Sequence, residues 1–161
     1  MRCELSPLSK QEGIPNQLAG QLAARKTAIV SELRQALRAT GLSNRLLTSP
    51  GHLEEIAREE VEAFLSFLET GDEEETRQRG VRRASEGLGE RSVLAMTEAL
   101  RRACWTSNPG KEALGVALET SGCYVNAFLE GYMSGRQEEI LREQERTRSA
   151  FQRALQRQAR S

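Results

Sequence analysis

The side chains able to do chemistry are few in this chain of 161 residues: one histidine, His52, and three cysteines, Cys3, Cys104 and Cys123. A single imidazole excludes two-histidine metal centres and the Glu-x-x-His pairs of di-iron bundles, and any nucleophile triad would have to use it. The three cysteines make no Cys-x-x-Cys and have no framework spacing, so neither a thiolate zinc site nor a secreted disulfide scaffold is indicated. A reducing cytoplasm is the expected setting. Carboxylates are plentiful, with ten between positions 51 and 77 against Arg58 and Arg77. Yet Glu54, Arg58 and Glu62 follow at i, i+4 and i+8, the spacing of an exposed ion-pair ladder rather than of an inward-facing metal or acid/base site. Gly87-Leu88-Gly89 lacks a third glycine and follows a helix, so it is a turn and not a dinucleotide loop. No nucleophile, base and orienting group can be assembled from these residues, and neither an enzyme nor a bound metal or cofactor is expected.

The elements that would position such groups are helical. Aromatic residues make up 4% of the chain and charged residues 29%, and Glu, Arg, Leu, Ala and Gln are the palette of helix formers. An all-α fold follows. Lys and Arg number 23, as do Asp and Glu, so no overall field would gather a nucleic acid or an anionic membrane at the surface. The densest apolar stretch, from Ala63 to Leu68, is too short to span a bilayer.

Residues 1–15, with Pro7, Gly13 and Pro15, read as a loose arm. A bundle of five to six helices is then expected over 16–134. Leu18, Leu22, Ile29, Leu33 and Leu37 give one helix over 16–40, ended by Gly41. Ser49-Pro50 reads as N-cap and first turn of a second helix, with His52 half-exposed near its start and Leu53, Ile56, Ala57, Val61, Phe64, Leu65 and Leu68 on its apolar face up to Gly71. Asp72 with Glu75 resembles a capping box for a short helix stopped by Gly87. A helix over 90–105 carries Val93, Leu94, Met96, Thr97, Leu100 and Cys104, and Asn108-Pro109 opens the next, with Leu114, Ala117, Leu118, Ser121, Tyr124, Val125, Phe128 and Tyr132 on a broad stripe. Gly131 and Gly135 mark a bend or a close contact. Phe64 or Leu65 truncated to Ala is expected to be costly, and Glu59 to be dispensable.

Residues 135–161 cannot be an ordinary core helix, having seven Arg, four Glu and few apolar side chains. Stepping by four and three from Ile140 through Gln144, Thr147 and Phe151 gives a half-polar seam flanked by Leu141 and Leu155, the pattern of a linker helix that pairs with a second copy. Equivalent residues then meet across a parallel homodimer. Cys104, Trp105, Tyr124 and Phe128 are the candidates for lining a small-ligand pocket, which would make the chain a ligand or chromophore carrier instead.

Helices two to four together carry a resemblance. The run Glu54 to Leu65, then Gly71-Asp72, then Gly80-Val81-Arg82-Arg83-Ala84-Ser85-Glu86-Gly87, then Val93 to Trp105 resembles the N-terminal sensory domain of RsbR-type stressosome proteins. These are bacterial RsbT co-antagonists, and related domains precede histidine kinases and other output modules. The likeness covers 17–132 in outline. Its most specific part is the Arg-Arg-Ala-x-x-Gly turn followed by a helix ending in Trp105; Gly89 and Glu90 depart from the proline and acidic residue common there. The resemblance implies a globin-like, dimeric, haem-free bundle that acts as a signal-input domain and passes its state through an exit helix to a downstream output domain. A piece of a longer regulator is therefore expected.

Overall fold

The computed structural model describes residues 14–41, 49–107 and 110–158, all-helical apart from short connections, with no strand among them. Six helices follow in order: α1 Ile14–Ala24, α2 Lys26–Ala39, α3 Pro50–Thr70, α4 Glu73–Ser85, α5 Glu90–Thr106 and α6 Gly110–Gln158. The proposed arm and Asn108-Pro109 fall almost wholly outside the described residues.

Where the sequence carries strong terminal signals, helix ends lie where they were expected. The Ser49 side chain accepts from the His52 amide at 3.3 Å, Pro50 takes the first helical position, and Gly71 closes α3 in the left-handed conformation at φ +67°. The Asp72 carboxylate accepts from the Glu75 amide at 3.0 Å, and three glutamates fill the first turn of α4, where the helix dipole favours negative charge. At the other end of α4, Gly87 adopts φ +79° and donates to the Ala84 carbonyl, while the Leu88 amide reaches the Arg83 carbonyl. That paired bonding is a Schellman motif, with Leu88 buried behind it.

Two boundaries differ from the sequence pattern. The single helix over 16–40 is two helices broken at Arg25, whose backbone sits at φ −106°, ψ 9° and whose side chain donates to Thr106 Oγ1 at 3.1 Å. No Pro or Gly marks the break, and Leu22 and Ile29 stay on one face across it. It is a tertiary effect: α1 lies against α3 and α6, whereas α2 lies against α3 and α5. Conversely, Gly131 and Gly135 do not break the helix, and α6 runs through them as one helix of 49 residues, about 73 Å at the usual rise.

Those glycines make a close contact. α4 is short and polar, burying Thr76, Gly80, Arg83 and Ala84 rather than large apolar groups, and it lies along α6 with almost no side chain between the two backbones. A Cβ on Gly80 would strike the Phe128 carbonyl and come within 2.7 Å of the Tyr132 amide; one on Gly131 would strike the Arg77 carbonyl; one on Gly135 would lie 2.9 Å from the Ala84 Cβ. The Tyr132 hydroxyl then donates to the Leu88 carbonyl at 2.6 Å, tying α6 to the turn after α4.

The remaining core is aromatic and aliphatic. Tyr124 sits edge-on to Phe64 at 4.9 Å and Phe67 at 5.3 Å, and stacks with Phe128 at 6.2 Å between centroids. Leu94 leaves the face assigned to it and is exposed, whereas Leu65 is partly buried against the core, in which Phe67 and Ala103 are also buried.

Gly131→Ala is expected to destabilise the fold by about 1–3 kcal/mol or more, because the struck atom is backbone and cannot rotate aside. Gly122→Ala, whose Cβ meets nothing within 4 Å, should instead stabilise by about 0.5–1 kcal/mol. Chemical denaturation of the two variants checks the opposite signs.

Candidate functional site

A carboxylate lies where the apolar face of α3 should have been unbroken. Glu60 is one helical step from Ile56 and one from Phe64, and it is 0% exposed. A buried carboxylate is tolerable only if its charge is met and its lone pairs are filled. Both conditions hold. Its Oε1 accepts from Arg83 Nε and Arg79 Nη2, each at 2.8 Å, and its Oε2 from the Tyr124 hydroxyl at 3.3 Å. Arg79 and Arg83 are four residues apart on α4 and therefore reach the same point.

Arg83 is the hub. Its other two nitrogens donate to Glu59 and Glu86, both at 2.6 Å, so one guanidinium binds two carboxylates of α3 and that of the residue capping α4. Burial works against its charge, but Glu60 and the bonds to Glu86 and Glu59 outweigh it and hold the group protonated. Burial, reinforced by the Glu60 charge, raises the Tyr124 phenol well above its ordinary range. The hydrogen bond from Arg83 holds Glu59 below the usual carboxylate range. The cluster thus joins α3, α4 and α6 at one point, where Arg79 and Arg83 meet the buried Glu60 charge. The Glu60 carboxylate is engaged on both oxygens by Arg79, Arg83 and Tyr124, while Arg79 Nε is buried without a partner.

The acidic face of α3 is likewise engaged, though not as a ladder along one helix. Arg58 approaches Glu54 at 3.7 Å, but Glu54 also accepts from Arg34 at 3.0 Å and Glu62 from Lys26 at 2.6 Å, so these glutamates bind α2. Glu130 on α6 pairs with Arg77, which also meets Glu73 and Glu74. His52 is half-exposed in the first turn of α3, with Nδ1 3.5 Å from Glu55. Among the described residues no group of histidine, cysteine and carboxylate side chains is placed to hold a metal ion, and no helix is long and apolar enough to cross a membrane.

The four pocket candidates do not share one environment. Cys104, Tyr124 and Phe128 are fully buried, whereas Trp105 is 50% exposed at the surface. The four do not line one enclosed pocket, because Trp105 follows Cys104 about 100° further round α5 and stands at the surface while the other three lie in the core. Cys104 is a free thiol that burial pushes up to about 12, against a hydrogen bond with Ser121. Cys123 is buried too but is disulfide-bonded, which departs from the expectation of reduced thiols.

Of the linker residues, Ile140, Leu141, Gln144, Thr147, Phe151 and Leu155 are all exposed on α6. Met133, 69% exposed, lies seven residues before Ile140 on the same side and extends that stripe toward the bundle. Glu60 and Met133 were missed at the sequence level. The signals were present: Glu60 interrupts a row of apolar positions, and Met133 continues the four-three spacing backwards.

Comparison with protein-family models, with curated proteins and with solved structures gives no match.

Removing one partner of the buried cluster should be costly. Glu60→Ala leaves Arg79 and Arg83 facing each other without their common counter-charge and is expected to cost about 3–5 kcal/mol, whereas an apolar replacement of Glu60 together with Arg79 and Arg83 should recover much of the loss. Equilibrium unfolding of the two variants checks this.

Acid should act through Glu59. Its folded-state pKa is depressed, so its contribution to stability is present above the unfolded carboxylate value of 4.5 and is lost as pH falls through the lower folded value. Glu59→Gln should therefore flatten the decline of stability below about pH 4.5, as thermal melts across that interval would record. Cys104, buried and high in pKa, should label slowly with a thiol reagent at pH 8 until the protein is unfolded.

Proposed function

We propose that this chain is a non-enzymatic, haem-free sensor and dimerisation domain of a bacterial signal-transduction protein, of the stressosome or histidine-kinase input type. The observation that carries the proposal is the continuity of α6. One helix contributes Tyr124 and Phe128 to the core, crosses α4 at Gly131 and Gly135, and then presents an exposed seam from Ile140 to Leu155. A change in how α3 and α4 hold the Glu60 cluster would reach the seam without crossing a loop. Two copies with their seams together would deliver that change to two output modules at once.

The sequence resemblance to RsbR-type sensory domains supports the same reading, as does the six-helix all-α architecture. The globin-like arrangement belongs to this proposal as well. The occupied side chains of the Glu60 cluster favour coupling over catalysis. The alternative, a carrier of a small ligand, loses its proposed lining residue Trp105 to the surface.

Static light scattering at tens of micromolar should report a dimer. A cysteine at position 151 (Phe151→Cys) should cross-link readily across it, and one on the outer face at 146 (Arg146→Cys) should not, each compared with the parental chain. A monomer, or equal cross-linking at both positions, would remove the signalling-helix reading.

A further inference from the structure

The exposed stripe of α6 has a defined heptad register. Met133, Ile140, Thr147 and Ala154 repeat every seven residues, and Gln144 and Phe151 fall four residues after Ile140 and Thr147. In coiled-coil terms the first set occupies d and the second a. Glu143 then stands at g, and Leu141, Arg148 and Leu155 at e.

The surface carries the corresponding shape. Ile140, Glu143, Gln144, Thr147, Arg148 and Phe151 together line a groove along the outside of α6. Those six residues are two overlapping four-residue holes. Ile140, Glu143, Gln144 and Thr147 are the hole that receives an a-position knob of a parallel partner, and Gln144, Thr147, Arg148 and Phe151 the hole that receives a d-position knob.

Charge selects the occupant and its direction. In a parallel, in-register pair, a g residue faces the e residue five positions later on the other helix, which sets Glu143 of each copy against Arg148 of the other. The pairing is opposite in sign and occurs twice by symmetry. An antiparallel pair would instead bring e against e and g against g, with no such match. Both side chains are free to make it: Glu143 approaches only Arg146 of its own helix, at 3.9 Å with both groups largely exposed, and Arg148 has no ion pair among the described residues. Gln144 at an a position adds a polar contact that is satisfied only when the two copies are level, the usual device for fixing register at some cost in stability.

We propose that the groove on α6 is the seat of a second copy of this chain, docked parallel and in register, with reciprocal Glu143 and Arg148 ion pairs setting that orientation. This deepens the dimeric sensor reading and rests on it.

The test uses the full chain and two charge reversals, Glu143→Arg and Arg148→Glu, both at exposed positions where circular dichroism can verify unchanged folding. Either reversal alone puts two like-charge contacts into its own dimer and should weaken self-association about tenfold at low salt. The two variants mixed one to one should pair with each other beyond the statistical half, because both cross-contacts are then attractive. The doubly reversed chain should return to parental affinity, and all differences should shrink in 1 M salt. Sedimentation equilibrium gives the affinities and native mass spectrometry of a tagged and untagged mixture gives the pairing. If both single variants associate as tightly as the parent, or the mixture pairs at random, the proposed register is overturned while the dimer stands. If the parental chain is itself monomeric, the sensor reading and this inference fall together.

Discussion

A single buried charge organises this molecule. Glu60 lies inside the aromatic core of α3, where an unmet carboxylate would cost several kcal/mol, so the fold must bring cations to it. Only α4 can do so, through Arg79 and Arg83 one turn apart. That requirement accounts for the character of α4, a helix too polar to be held by its own hydrophobic face. Its place beside α3 is set by charge and hydrogen bonding, and its place beside α6 by the absence of side chains.

The two attachments have different physical character. Against α6, α4 is fixed mainly by shape, since Gly80, Gly131 and Gly135 let the backbones meet where any Cβ would intrude, with the Arg77–Glu130 ion pair at the rim. Against α3 it is fixed by directed polar contacts with little apolar packing. Tyr124 completes the arrangement by bringing the α6 backbone to the same carboxylate from the opposite side. Three helices therefore share one reference point, and each depends on the other two for its position relative to it.

Much of this was legible in the chain. The ends of α3 and α4 follow from Ser49-Pro50, Gly71, Asp72 and Gly87, because caps and glycine turns act through neighbouring backbone atoms and carry their cause in local sequence. The apolar faces of α3 and α5 were legible for the same reason, apart from an edge position such as Leu94. What was not legible depends on partners distant in sequence. The break at Arg25 arises from different neighbours for α1 and α2. The burial of Glu60 needs two arginines 19 and 23 residues away. The separation of Trp105 from Tyr124 and Phe128 reflects the side of α5 on which it stands. Gly131 and Gly135 were ambiguous in isolation, because a glycine pair serves a bend and a close crossing equally well.

The length of α6 has a mechanical consequence. Beyond the crossing at Gly131 the helix continues for 27 more residues to Gln158, about 40 Å of rod at the helical rise. Rods of this kind turn angle into distance. A tilt of about 5° at the crossing, a rotation that side-chain adjustment around a polar cluster could supply, would sweep the far end sideways by roughly 3.5 Å over that length. The core would register the same event as a change of a few tenths of an ångström. On the proposed sensor reading such a lever would have high gain: a sub-ångström rearrangement near Glu60 would become a displacement at the tip comparable to the width of a side chain.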